Sequence, residues 1–186
     1  MRINKIKIRE FLKVSGVEVN RVLLLGIRMD NDVNTYDDYA IIVYPDRMNI
    51  YPFNTNPSKR IDGMATLIPG VWSFIAGKHK LSSPRGYSAF RQYGYVTVDR
   101  HNRGKDTGYF GINLHRGGSS GTSSEGCQTL PPSVWGEFRF ELYKALGTTD
   151  LEVMNKPSGV PGTTFRYFLT TREDIINKVG AFLESE

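Results

Sequence analysis

Along most of the chain, apolar residues fall in short runs separated by turn signals. Residues 21–29 (RVLLLGIRM) are almost unbroken, as expected of a strand buried on both faces. Residues 39–44 (YAIIVY) and 48–53 flank Pro45-Asp46-Arg47, a pattern that predicts a hairpin. Pro69-Gly70 predicts a turn into a strand over 71–75. Further strands are predicted over 93–98 and over 109–114, the latter ending at His115. Phe165, Tyr167 and Leu169 alternate as in a strand with one buried face. The polar stretches 30–38, 54–60, 78–85 and 99–107 predict loops. Residues 3–14 fit strand and helix alike, and the alternation Lys5-Ile6-Lys7-Ile8-Arg9 looks more like one face of a strand than a nucleic-acid tract.

Two helices are clearer. Ser133, behind Pro131-Pro132, is the expected cap of the first. Trp135, Phe138, Leu142 and Ala145 then follow at helical spacing until Gly147. Thr171-Arg172-Glu173-Asp174 reads as a capping box before the stripe Ile175, Ile176, Val179, Phe182 and Leu183. There is no internal repeat. The expected architecture is mainly β (α+β): one domain over 1–186, a mixed sheet or sandwich with two or three peripheral helices. Residues 1–20 are a candidate N-terminal appendage.

Composition narrows the class. With 39% hydrophobic and 12% aromatic residues the chain can build a core, which excludes a disordered chain. The 19 glycines and 9 prolines suit a turn-rich β fold. The net charge of +5 suits a polyanionic partner, but the basic residues are scattered, and no nucleic-acid tract is expected. No run approaches the ~18 apolar residues of a membrane span, so no membrane insertion is expected. The start, Met1-Arg2-Ile3-Asn4 and the basic run, is too often interrupted by charge for a standard signal peptide. Synthesis in the cytoplasm is the corresponding expectation.

Chemistry concentrates in one block. Gly111-Ile112-Asn113-Leu114-His115-Arg116-Gly117 leads into a Gly/Ser loop and then Ser124-Glu125-Gly126-Cys127-Gln128-Thr129. Cys127 is the only cysteine, which rules out an internal disulfide. A lone thiol is often a small buried hydrophobe. Its Ser, Glu, Gly, Gln and Thr neighbours favour a nucleophile instead. His115, twelve residues earlier, is the candidate base, because a glycine-rich loop of that length can fold the two together. Gly126 permits a tight turn and close approach of substrate, and backbone N–H groups around Gly126 and Cys127 can face an oxyanion.

This block resembles the L,D-transpeptidase catalytic domain, also called the YkuD-type domain. That family's signature is a histidine, a loop, and Ser/Thr-His-Gly-Cys followed by an apolar residue and Asn or Arg. The matching positions are His115, the loop, and Ser124-Glu125-Gly126-Cys127. Residues 112–115 resemble the family's strand into its histidine. Residues 65–72 (ATLIPGVW) resemble its Thr-Pro-x-Gly-x-Tyr/Phe segment. The resemblance covers roughly residues 20–145, with strong motif identity only in the His115–Thr129 block. It departs at Glu125, where the family has histidine, at Gln128-Thr129, and in its shorter loop. These departures point to a divergent branch, such as a phage lysis-type (endolysin-like) or secreted antibacterial enzyme.

The resemblance implies that Cys127 attacks a peptide carbonyl beside the L-centre of an L,D bond in a peptidoglycan stem peptide. A thioester acyl-enzyme forms, and water or an amine resolves it. Such a hydrolase or transferase acts in the periplasm or cell wall once released or secreted. His115 is the implied base, oriented by a backbone carbonyl, and no cofactor is implied. Arg116, Gly117 and Ser123 are the candidate substrate contacts. Glu125 can orient His115 or Arg116, receive an amine, or be a solvated loop carboxylate. Ser123 and Ser124 can shape an oxyanion pocket or merely fill the loop. His79 and His101 are expected to be solvated, and Trp72, Tyr93 and Trp135 to be core. One Cys and three scattered His give no zinc-ligand spacing, so no metal site is expected. Two rivals stay open: a cysteine hydrolase or acyltransferase on non-murein amides, and a non-catalytic binding module on the same scaffold.

Overall fold

A computed structural model describes residues 2–184. Met1, Ser185 and Glu186, including the first position of the basic start and the last two of the expected domain, lie outside the described residues. The elements in chain order are β1 (Arg2–Ile3), α1 (Lys5–Val14), β2 (Leu23–Arg28), β3 (Asp38–Val43), β4 (Met48–Phe53), β5 (Ala65–Leu67) and β6 (Gly70–His79). Next come β7 (Tyr87–Gln92), β8 (Val96–Arg100), β9 (Gly104–Gly108), β10 (Leu114–Arg116) and β11 (Gln128–Leu130). The chain ends with α2 (Pro132–Leu146), α3 (Asp150–Asn155), β12 (Thr164–Thr171), α4 (Arg172–Val179) and β13 (Leu183–Glu184). With 36% strand and 21% helix the fold is mainly β, of the α+β class.

Eight strands form one sheet in the order β11-β10-β7-β6-β12-β2-β3-β4. Its pairs are antiparallel except β10/β11 and β12/β2. The sheet curls until its edges meet. Asn54, just past β4, and Thr129 of β11 exchange both backbone hydrogen bonds at 2.9 Å. This seam leaves a barrel whose interior holds Leu24, Ile42, Phe53, Phe74, Phe90 and Tyr167. Helix α2 closes it with Trp135, Phe138, Leu142 and Tyr143, and Phe90 meets three of those rings edge-on at 5.0–6.2 Å. A second apolar layer holds Leu23, Leu25, Ile27, Ile41 and Val43 under α1 and α4. Two buried faces explain why β2 and β3 read as continuous apolar runs.

Several elements differ from the sequence reading. Residues 5–14, open between strand and helix on pattern alone, are helical. Asn4 caps the helix by accepting the Lys7 N–H, and Ile8, Phe11 and Leu12 form its buried stripe while Ile6 faces solvent. Four helices form among the described residues, and Thr149 caps the short α3 through the Glu152 N–H. Ser133 does not cap α2: Pro131 holds the cap position and Pro132 starts the helix, where a missing N–H costs nothing. Thr171 does cap α4, accepting the Asp174 N–H. Residues 99–107 form the β8/β9 hairpin in place of a loop. Strand β6 runs on through Lys78 and His79, pairing with Ser88 and Tyr87 of a strand the apolar pattern does not announce. His115 is the middle residue of β10, not the last residue of a strand over 109–114.

Candidate active site

Four neighbouring strands, β6, β7, β10 and β11, deliver one side chain each to a single open cleft of about 890 Å³. They are His79, Tyr87, His115 and, immediately before β11, Cys127. The register explains the placement. Leu114 pairs with Gln128 and His115 with Thr129, so the outward face that carries His115 also carries the residue two before Thr129, which is Cys127. Leu114 and Gln128 turn into the barrel, where Gln128 Oε1 accepts from the Tyr167 hydroxyl at 2.8 Å.

The loop from Gly117 to Gly126 is packed rather than loose. The Tyr36 hydroxyl donates to the carbonyl of Gly118 at 2.8 Å. Asn34 Oδ1 accepts the Thr122 N–H, and Ser58 Oγ accepts the Ser124 N–H. Gly117 is required for this packing, because a Cβ there would lie 2.0 Å from the Tyr36 oxygen. Gly126, at φ +120°, is required for the turn into Cys127, because a Cβ there would lie 2.7 Å from the Ala65 carbonyl oxygen. Ser123 sits in the left-handed region at φ 52°.

His115 is 5% exposed. Its Nδ1 lies 2.7 Å from the Arg116 carbonyl oxygen, which can only accept. Nδ1 therefore carries the proton, and Nε2 keeps a lone pair for use as a base. The Tyr87 hydroxyl donates to the same carbonyl at 3.2 Å. Burial holds the imidazole down at about 4, with the nearby Lys80 acting in the same direction, so it is neutral at pH 7.

The Cys127 sulfur accepts the Asn113 N–H at 3.4 Å, and its thiol donates to the Gly111 carbonyl at 3.6 Å. Among the described residues no hydrogen bond joins it to His115. Burial pushes the thiol up to about 11, against the pull of the Asn113 N–H, so it rests protonated. The residue is nonetheless only half-buried and lines the cleft. A neutral imidazole with a free Nε2 lone pair and a protonated thiol in one cleft are the groups that acyl transfer with proton removal during attack, in place of a stored thiolate, would require.

Other expected residues are placed differently. The Gly126 N–H is not free for an oxyanion: it donates to Ser124 Oγ at 3.1 Å, while Ser124 Oγ donates to the Cys127 carbonyl at 2.6 Å. The Cys127 N–H has no partner among the described residues. Glu125 and Arg116 are exposed on the rim. Among the described residues, Glu125 bonds neither His115 nor Arg116, and Arg116 instead lies 5.4 Å over the Tyr87 ring. Lys59 and Lys80 join Arg116 on the rim, leaving three cations against the single acid Glu125. Tyr93 is 52% exposed and not core, whereas Trp135 is core and Trp72 is half-buried.

His79 is the principal correction. It is not a solvated loop residue: its ring stacks on His115, centroids 3.8 Å apart and 14° from parallel. Asn113 Nδ2 contacts its Nδ1 at 3.2 Å. Extending the strand over 71–75 by two more alternating pairs would have placed His79 on the sheet. The same alternation puts Asn113 on the face of His115. His101 borders a separate cavity beside Arg28 and Met64.

No family model, no curated protein and no solved structure matches the chain.

Proposed function

We propose that the protein is a cysteine acyl-transfer enzyme, an L,D-peptidase or transpeptidase acting on peptidoglycan stem peptides. One observation carries the chemistry: adjacent strands bring Cys127 and His115 to one open cleft, with the Nε2 lone pair of His115 left unoccupied by its backbone tether. Sγ attacks the carbonyl carbon, His115 Nε2 takes the thiol proton, and the same proton goes to the leaving amine as the thioester forms. Water or an amine then resolves the thioester. The cationic rim of Lys59, Lys80 and Arg116 favours a substrate that carries carboxylates. The choice of murein rests on the resemblance of the His115–Thr129 block, and it entails action in the periplasm or wall after release or secretion.

Purified sacculi test the reading. Wild-type protein is expected to change the muropeptide profile, and Cys127→Ala to leave it unchanged while keeping its melting temperature. An equal profile from both proteins rejects the reading, and turnover of other amides with untouched muropeptides selects a non-murein hydrolase. A second reading, a binding module on the same scaffold, is favoured by the thiol near 11 and the missing sulfur–imidazole hydrogen bond. It expects no acyl-enzyme with any activated ester.

A further inference from the structure

We propose that His79 is a catalytic residue of the acyl-transfer reaction, donating its Nε2–H to the oxyanion that forms when Cys127 attacks a carbonyl. The inference rests on the acyl-enzyme reading above.

Asn113 Oδ1 accepts the Gln92 N–H at 3.2 Å, which fixes the amide so that Nδ2 is the end facing His79. An amide nitrogen only donates, so His79 Nδ1 accepts and the ring proton sits on Nε2. Burial, together with the positive charge His115 or Lys80 would place beside it, holds His79 down at about 3, so the ring stays neutral at working pH. It is therefore a neutral donor, not a second base. Among the described residues its Nε2 has no hydrogen-bond partner, and the residue lines the cleft with Cys127.

Few donors of the cleft are uncommitted. As Sγ bonds to the carbonyl carbon, the C=O π pair moves to oxygen and the thiol proton moves to His115 Nε2. The oxyanion then needs aimed donors. Gly126 N–H is committed to Ser124, Asn113 N–H to the sulfur itself, and the Tyr87 hydroxyl to the Arg116 carbonyl. Besides the exposed Ser123 hydroxyl, Cys127 N–H and His79 Nε2–H are cleft donors with no hydrogen-bond partner among the described residues. Asn113 ties them together, holding the sulfur with its backbone and His79 with its side chain. Collapse of the intermediate returns the electron pair to the C=O bond and expels the amine with the proton from His115.

Two reactions at Cys127 separate this role from a structural one. Acylation by p-nitrophenyl acetate passes through an oxyanion, whereas alkylation by iodoacetamide does not. His79→Phe, which keeps a ring against His115 but removes the donor, is expected to slow acylation roughly 100-fold and leave alkylation unchanged. His79→Gln, which restores an N–H near the same position, is expected to recover much of the acylation rate. Equal acylation in wild type and His79→Phe overturns the role, as does a parallel loss of both reactions or a failure of His79→Gln to recover. Wild-type protein that is alkylated but never acylated at Cys127 overturns the acyl-enzyme reading and this role together.

Discussion

Ser124 clamps the backbone on both sides of the Cys127 side chain: its hydroxyl accepts the Gly126 N–H and donates to the Cys127 carbonyl at 2.6 Å. Ser124→Ala strands a buried N–H and frees the peptide that aims the sulfur. The expected cost is about 1–3 kcal/mol in stability. Acylation of Cys127 should fall roughly tenfold or more, since misplacement by about 1 Å already costs 10²-fold in favourable cases. Chemical unfolding and ester burst kinetics check the two effects separately.

Gly117 and Tyr36 should behave as a coupled pair. Gly117→Ala drives a methyl into the Tyr36 hydroxyl and is expected to loosen the 117–126 loop and lower both melting temperature and activity. Tyr36→Phe in the same chain should recover part of the loss. Recovery will be incomplete, because the added carbon still lies 2.8 Å from the Thr122 carbonyl oxygen. A double-mutant cycle on unfolding free energy measures the coupling.

Acid should destabilise the fold through His115. Between its ordinary value of 6.5 and its folded value of about 4, the unfolded chain binds a proton that the folded chain refuses. Stability from this group is therefore whole above 6.5 and is lost as pH falls through that window, by about 2 kcal/mol between pH 7 and 4.5. Asp38, raised by burial to about 6, works in the opposite sense, gaining stability as pH falls below 6. The diagnostic quantity is thus a difference: His115→Gln should flatten the acid limb by about that amount relative to wild type, read from unfolding curves at several pH values.

Tyr167 supports the backbone before Cys127 from inside the barrel. Its hydroxyl serves Gln128 Oε1, and Gln128 Nε2 donates to the Gly126 carbonyl at 3.2 Å. Tyr167→Phe leaves a buried acceptor unpaired and should cost about 1–3 kcal/mol. It should also raise amide exchange at residues 126–128, which hydrogen-exchange mass spectrometry can follow.

What the sequence disclosed, and what it concealed, follows from where each element takes its stability. Strands β2, β3 and β4 are legible because they are apolar in their own right. Strand β9, GKDTG, is exposed over most of its length and exists only through its pairing with β8, so no local pattern marks it. Helix α1 is ambiguous in sequence because Lys5–Arg9 alternates, while Phe11 stacks on Phe168, far along the chain. In the site, Cys127 and His115 share one local block and could be paired from their spacing. His79 could not, since its partner in space is 36 positions away in a segment whose composition reads as loop. The raised thiol is likewise a property of enclosure, invisible in a string of polar neighbours.

The seam between Asn54 and Thr129 has one more consequence. It fastens the last two edges of the sheet through a single bridge only two positions beyond Cys127, so the closure of the cylinder and the Cys127 sulfur share one stretch of backbone. Thermal breathing that unzips the cylinder there would displace the sulfur first, while nearly all ordered backbone stayed intact. Loss of chemistry on warming should thus precede loss of the circular-dichroism signal, making turnover the more sensitive thermometer of this fold.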